Sequence, residues 1–277
     1  MITARTRVFA LLGDPVDHSL SPQLQNRAFE ETGADGVFVA LRASSEELPG
    51  MIRSLCHAGG GGNVTLPHKE KAVTVLDRPA AAVRRTGACN TFWLQDDEIH
   101  GDNTDVAGFT RALRLLLGRP PEDMSVLLLG AGGAARAALV GLLDDGAESV
   151  LLFNRTAERA RAVARRIGGE RVRVASSHGD IQGRRFDLVV NATRLGLSPS
   201  DPLPLNFEVL GWTGAVMDLV YGPSETPWVA AARSLGITAA DGGEMLVQQA
   251  AAAYELWWGE PGPVDAMRDA LSKIRVR

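Results

Sequence analysis

Val126-Leu127-Leu128-Leu129-Gly130-Ala131-Gly132-Gly133-Ala134-Ala135-Arg136 reads as a buried strand, a glycine turn and the first turn of a helix. The spacing Gly130-x-Gly132-x-x-Ala135 fits a fingerprint with three separate physical jobs. The first glycine makes the tight turn, the second lets backbone approach a pyrophosphate, and the third position packs helix on strand. The helix N-terminus then offers unpaired N–H donors and a partial positive charge to the anion. Glycine and alanine are abundant in this chain, so the pattern is weak alone and its flanks matter.

Where NAD sites place Asp or Glu about 20 residues further on, to hold the ribose 2′-hydroxyl, the next strand Val150-Leu151-Leu152-Phe153 ends in Asn154-Arg155-Thr156, with Arg159 one helical turn later. A carboxylate there repels a 2′-phosphate, whereas a guanidinium grips one with two parallel hydrogen bonds. The stretch therefore reads as an NADP rather than an NAD site. The bland reading of Arg155 and Arg159 is that they are solvated arginines at a helix start in an arginine-rich chain.

At 277 residues the chain has room for one large or two ordinary domains. Its 45% hydrophobic and 22% charged content is that of a soluble globular protein. A net charge of -4 and a pI near 5.8 provide no basic field for nucleic acid. No apolar run approaches the roughly 20 residues of a membrane span, and Val8 to Leu12 is too short for a signal-peptide core; the expected compartment is the cytoplasm. Cys56 and Cys89 are too few for a disulfide framework or a zinc site and lie in apolar stretches, where thiols act as small hydrophobes. No metal is expected. Of 29 basic residues only Lys69, Lys71 and Lys273 are lysine. Arginine keeps its proton in proteins and lysine can release one, so Lys69, just past a strand end, is the lysine to watch.

The first hundred residues alternate strand and helix. Arg7 to Leu12 reads as a strand, and Ser21-Pro22 as an N-cap followed by proline at the first helical position of a helix to about Thr32. Val37 to Leu41 is a second strand, Ser44-Ser45-Glu46-Glu47 a capping box for a helix to His57, and Gly62 to Leu66 a third strand. The run Gly59 to Gly62 reads as a mobile lid or a loose turn. Cys89 to Leu94 and Ile99-His100 flank Asp96-Asp97 as a hairpin. An amphipathic hinge helix from Thr104 or Asp105 leads to the loop Gly118 to Pro121, after which strands near Val126, Val150, Val172, Leu188 and Val216 alternate with helices. The apolar helix Met245 to Trp258 is expected to cross back to the first domain, and Pro263 to Lys273 is the final helix. The expected architecture is α/β in two domains: an N-terminal α/β substrate domain with a mainly parallel sheet (residues 1–107) and a Rossmann-like, doubly wound NADP domain (residues 108–242), with C-terminal helices (residues 243–277) returning to the first.

Asn63-Val64-Thr65-Leu66-Pro67-His68-Lys69 puts polar side chains at the C-terminal end of a strand, where open α/β sheets place ligands. Gly101-Asp102-Asn103-Thr104-Asp105 opens the hinge helix; an N-cap needs only one of its four polar residues. Asn90-Thr91 starts a strand, a poor place for Asn without a specific partner. If Lys69 and Asp105 meet, their titrations couple, and a lysine poised to trade a proton with an alcohol beside a hydride carrier makes an alcohol dehydrogenase without metal. A structural salt bridge at a domain junction is the other reading.

These motifs, in order, resemble the shikimate dehydrogenase family: Gly13-Asp14-Pro15-Val16-Asp17-His18-Ser19-Leu20-Ser21-Pro22, Gly62 to Glu70, Gly87-Ala88-Cys89-Asn90-Thr91, Gly101 to Asp105, the Gly130 loop, Asn154-Arg155-Thr156, Asn191-Ala192-Thr193, Asp218-Leu219-Val220-Tyr221 and Met245-Leu246-Val247-Gln248-Gln249. The resemblance implies reversible reduction of 3-dehydroshikimate to shikimate with NADPH, on the route to aromatic amino acids. It implies a catalytic pair Lys69 and Asp105. It assigns the substrate carboxylate to Ser19, Ser21 and Tyr221, and the ring hydroxyls to Asn63, Thr65, Asn90 and Gln249. It assigns NADP(H) to Gly130, Ala131, Gly132, Gly133 and Ala134, the clamp Asn154, Arg155, Thr156 and Arg159, and Thr193 and Gly243.

Two residues depart from the family pattern. His68 stands where members often carry an apolar aromatic, either tuning Lys69 or filling volume, and Glu244 stands where many have a glycine. The segment His18 to Pro22 also resembles the quinate/shikimate branch. The alternatives are thus a quinate/shikimate or aminoshikimate dehydrogenase, or a non-catalytic dinucleotide-binding regulator, whose mark would be loss of Lys69 or Asp105. Small-molecule substrate, no nucleic acid or membrane partner, and a monomer or homodimer complete the expectation.

Overall fold

A computed structural model describes residues 2–198 and 200–275. The chain divides into two compact units, residues 1–108 with 247–277, and residues 109–246.

In the first unit, the elements are β1 (Arg7–Gly13), α1 (Ser21–Thr32), β2 (Gly36–Arg42), α2 (Leu48–His57), β3 (Gly61–Val64), α3 (Lys69–Ala72), β4 (Arg78–Pro79), α4 (Ala81–Thr86), β5 (Thr91–Gln95), β6 (Glu98–Asp102) and the start of α5 (Thr104–Leu117). The sheet order is β2-β1-β3-β5-β6-β4. Strands β2, β1 and β3 are parallel, while β5 runs antiparallel to both β3 and β6. Because β1 is flanked by β2 on one side and β3 on the other, the strand order reverses between β1 and β3. Ligands in open α/β sheets bind outside the carboxyl ends of strands at such a point. There the chain carries Ser19 and the first residue of α1, Ser21, after β1, and Thr65 and the first residue of α3, Lys69, after β3.

Asp96 and Asp97, at φ 52° and 59°, turn the β5–β6 hairpin. Two consecutive left-handed residues are what a tight two-residue hairpin loop requires, and Asp tolerates that conformation.

Of the glycine run, Gly59 (φ 79°) makes the turn after α2, while Gly60 to Gly62 form neither a lid nor a loose turn. A Cβ on Gly60 would lie 1.8 Å from Val8 O, on Gly61 2.6 Å from Phe92 O, and on Gly62 2.1 Å from Ala10 O. Gly60 to Gly62 thus let the chain entering β3 sit close against β1 and β5, where a side chain would clash with backbone. Ser21 also differs from expectation. It is the first residue of α1, Leu20 occupies the cap position, and no side chain caps the helix. The Ser44–Glu47 box does form: Glu47 N donates to Ser44 Oγ at 3.2 Å, and Ser44 N donates to Glu47 Oε2 at 2.9 Å.

The second unit contains β7 (Ser125–Leu129), α6 (Gly133–Asp144), β8 (Ser149–Phe153), α7 (Ala157–Val163), β9 (Val172–Ala175), β10 (Arg185–Asn191), β11 (Trp212–Asp218), α8 (Pro227–Ser234) and β12 (Thr238–Ala240). All its strand pairs are parallel, in the order β12-β11-β10-β7-β8-β9. That is the doubly wound dinucleotide-binding order, with its reversal between β7 and β10. Leu127, Leu128, Val189 and Val190 are fully buried, as strands covered on both faces require.

The chain returns to the first unit through α9 (Gly243–Trp258) and ends in α10 (Val264–Arg275). Trp257 and Trp258 pack on Phe9 at ring-centroid distances of 4.7 and 5.7 Å; Trp257 is buried in the core and Trp258 half-buried at its edge. No helix of the described residues is long and apolar enough to cross a membrane.

Candidate active site

Lys69 is fixed by its backbone before its side chain is considered. It opens α3, and its carbonyl accepts the Cys89 N–H at 2.8 Å. Its Nζ donates to Asp105 Oδ2 at 2.6 Å, with the two side chains 18% and 9% exposed. Asp105 lies in the first turn of α5, where the helix dipole favours a carboxylate. A pair so withdrawn from water is held only while both charges are present.

The second oxygen of Asp105 accepts from Asn90 Nδ2 at 2.9 Å. The other Asn90 hydrogen goes to Thr104 Oγ1 at 3.0 Å, and Asn90 Oδ1 accepts from Thr104 N at 2.7 Å and Thr91 Oγ1 at 3.0 Å. Asn63 Nδ2 donates to Asn90 O at 3.0 Å and to Thr91 Oγ1 at 2.9 Å. The polar strand start thus has its partners.

One residue of the 101–105 cluster does cap the helix. Asn103 Oδ1 accepts from Asp105 N at 3.3 Å, while its Nδ2 donates to Thr86 Oγ1 at 3.0 Å and Ala88 O at 3.1 Å. Burial pushes the Asp102 carboxyl above its ordinary range, against the bond that it accepts from Asn103 N.

Thr86, Thr91, Asn103 and Thr104 are the supporting residues that the sequence reading did not single out. Three of them lie in motifs it quoted. Thr86, the last residue of α4 before Gly87, lies outside those motifs.

Ser19 and Ser21 come together, with their Oγ atoms 3.2 Å apart. Thr65 packs on the turn leading to them, since a Cβ on Gly13 would lie 2.4 Å from Thr65 Cγ2. Gln249 lies against the α5 turn that follows Asp105: a Cβ on Gly108 would come within 2.6 Å of Gln249 Cβ. His68 is buried, with Nε2 2.7 Å from Ala43 O. A carbonyl only accepts, so Nε2 carries the hydrogen. The ring both fills volume and ties the Lys69 loop to the residue after β2. Burial pushes the Cys56 and Cys89 thiols up to about 12, leaving no thiolate near neutrality.

In the second unit, Gly130 has φ 113°, and a Cβ there would lie 2.6 Å from Ala192 O. Cβ atoms on Gly132 and Gly133 would meet nothing within 4 Å, which leaves open the approach that a phosphate needs at the α6 N-terminus. Ala135 is fully buried, and Ala131 and Ala134 pack on the same core. Arg155 and Arg159 are exposed, and neither pairs with a carboxylate among the described residues. Asn154 Nδ2 donates to Thr156 O at 2.9 Å, shaping the turn that presents Arg155. The turn and the unpaired guanidinia fit a dinucleotide carrying a 2′-phosphate. Gly243 N donates to Asp241 Oδ1 at 2.9 Å at the start of α9, and Glu244 follows in its first turn. Thr193 follows β10, and Tyr221 follows β11, both in the second unit.

Three family models match successive parts of the chain: the shikimate dehydrogenase substrate binding domain over residues 11–92, shikimate / quinate 5-dehydrogenase over 118–195, and the shikimate 5′-dehydrogenase C-terminal domain over 242–271. The chain is 42% identical to the shikimate dehydrogenase (NADP(+)) of Rubrobacter xylanophilus, across 98% of its own length and 97% of that protein. It is 38% identical to that of Methanopyrus kandleri, across 98% and 96%. The crystal structure of shikimate 5-dehydrogenase from Thermus thermophilus in complex with NADP(H) and shikimate superposes with a TM-score of 0.87 at 37% identity, covering 99% of this chain and all of that one.

Proposed function

This chain belongs to the shikimate dehydrogenase family, and we propose that it is an NADP-dependent shikimate dehydrogenase, reducing 3-dehydroshikimate reversibly to shikimate. The observation that carries the catalytic reading is the 2.6 Å contact of Lys69 Nζ with Asp105 Oδ2, held by Asn90. When bound, NADPH supplies the hydride. Asp105 holds the Lys69 ammonium beside the ring carbonyl. The ammonium stabilises charge developing on that oxygen and gives up a proton from Nζ as the alcohol forms; the reverse direction returns the proton to Nζ.

The Ser19 and Ser21 hydroxyls, with Tyr221, hold the substrate carboxylate. Asn63, Thr65, Asn90 and Gln249 take the ring hydroxyls. The turn from Gly130 to Ala134 cradles the pyrophosphate, Asn154, Arg155, Thr156 and Arg159 grip the 2′-phosphate, and Thr193 and Gly243 line the remainder of the cofactor site. An intracellular, cytoplasmic enzyme acting as a monomer or homodimer is the setting of this reading.

The test is the rate of reduced-nicotinamide formation from shikimate and from quinate, each with NADP and with NAD. Shikimate with NADP is expected to give the highest kcat/KM. Preference for quinate, or for NAD, would move the chain to the quinate/shikimate branch, and no turnover with any ring acid would refute the proposal.

A further inference from the structure

Asp218, the last residue of β11, is fully buried, and the reaction just described does not use it. No basic side chain pairs with it among the described residues. Its Oδ1 accepts from Asn191 Nδ2 at 2.8 Å and Val220 N at 3.1 Å, and its Oδ2 accepts from Thr226 Oγ1 at 2.7 Å. Burial pushes this carboxyl above its ordinary range despite those three donors. A buried carboxylate without a counter-ion is costly, and what it provides in return is two oxygens that can only accept.

That restriction propagates along the strand ends. Asn191, also fully buried at the end of β10, must turn its NH2 to Asp218, and the same nitrogen donates to Leu195 O at 3.1 Å. Its oxygen therefore faces Thr193, accepting from Thr193 N at 3.0 Å and Thr193 Oγ1 at 2.7 Å. The single Thr193 hydroxyl hydrogen is thereby consumed, and one Oγ1 lone pair takes the Leu195 N–H at 3.1 Å. What Thr193 has left is one accepting lone pair. It stands beside the glycine turn: Ala192 N donates to Leu129 O at 2.8 Å, and Ala192 O is the atom that a Cβ on Gly130 would strike.

The geometry points to Asp218 as a positioning residue that, through Asn191, holds the Thr193 hydroxyl as a pure acceptor, so that the dinucleotide group it meets is a donor, a ribose hydroxyl or an amide or amine N–H, and not a phosphate oxygen. This rests on the reading of the Gly130 turn and Thr193 as the cofactor site. The test is equilibrium titration of each purified variant with NADPH by nucleotide fluorescence, with melting temperature in the absence of nucleotide recorded beside it.

Thr193→Val is expected to raise the NADPH Kd about tenfold, the worth of one hydrogen bond. Asp218→Ala is expected to raise it by a similar factor, and the double variant by no more than either alone, because both cut one chain of bonds. Asp218→Asn, whose oxygen still serves Asn191 and Val220 while Thr226 accepts its NH2, is expected to stay within about threefold of the unsubstituted protein. If Asp218→Ala does not fold, Asn191→Ser cuts the same link and carries the same expectation. A double variant whose Kd rises by the product of the single effects, or an Asp218→Ala Kd within about twofold of the unsubstituted value, overturns the inference alone. An unsubstituted chain that does not bind NADPH overturns the functional reading with it.

Discussion

Asn90 and Lys69 hold the two oxygens of one carboxylate: Asn90 Nδ2 lies 2.9 Å from Asp105 Oδ1, and Lys69 Nζ lies 2.6 Å from Asp105 Oδ2. The carboxylate cannot rotate without losing one of them, so the direction in which the ammonium points is set by the amide of the residue just before β5.

Removing that amide is expected to act on the chemical step. Asn90→Ala should lower kcat by about 10- to 100-fold while changing the KM for shikimate by a smaller factor, the pattern of a lost transition-state contact. Steady-state kinetics in both directions check this, and an equal rise in KM with unchanged kcat would instead make Asn90 a plain substrate ligand.

The two exposed arginines separate the cofactors. Arg155→Ala combined with Arg159→Ala should raise the KM for NADP by about 10- to 100-fold and leave that for NAD nearly unchanged, narrowing the preference from one side only. Matched kinetics with both cofactors read this directly.

Gly130 and Gly132 are expected to fail in different ways. Gly130→Ala forces a side chain into φ 113° with its Cβ against a backbone oxygen at 2.6 Å, at a cost of order 1–3 kcal/mol, so its melting temperature should fall. Gly132→Ala meets nothing within 4 Å and should melt near the unsubstituted protein while losing NADPH affinity. Thermal melts beside nucleotide titrations check the contrast.

Asp102 governs a pH-dependent part of stability. Burial raises its carboxyl in the folded chain, so the folded state binds the proton more tightly than the unfolded state does. Stability from this group is therefore present below the unfolded carboxylate value of about 4 and is lost as pH rises through the higher folded value. Asp102→Asn, whose amide oxygen still accepts from Asn103 N, should raise the melting temperature at neutral pH. That gain should shrink toward nothing as the pH falls below about 4, as melts across a pH series would show.

Much of this was legible in residue order because it is local. The Gly130 turn, the Asp96-Asp97 hairpin and the Ser44–Glu47 box each complete their hydrogen bonds or dihedrals within a few residues. Asn90 stood out because an amide at a strand start needs a partner. The partner itself, 15 residues away on α5, depends on how β5 and β6 pair. What escaped is non-local or very short. The close approach at Gly60 to Gly62 is set by β1 and β5, and β4 and β12, of 2 and 3 residues, are too short for any period. Ser21 looked like a cap because Ser before Pro favours one, but the preceding turn extends the helix by a residue and turns its hydroxyl to Ser19. The Asp218–Asn191–Thr193 chain links two strand ends 27 residues apart, and only their adjacency in the sheet reveals it.

The most direct measurement is the turnover of Lys69→Met with shikimate and NADP, beside the dissociation constants of both ligands. The account predicts kcat reduced by about 100-fold or more with both ligands still bound at near-parental affinity. Near-parental turnover in that variant would contradict it.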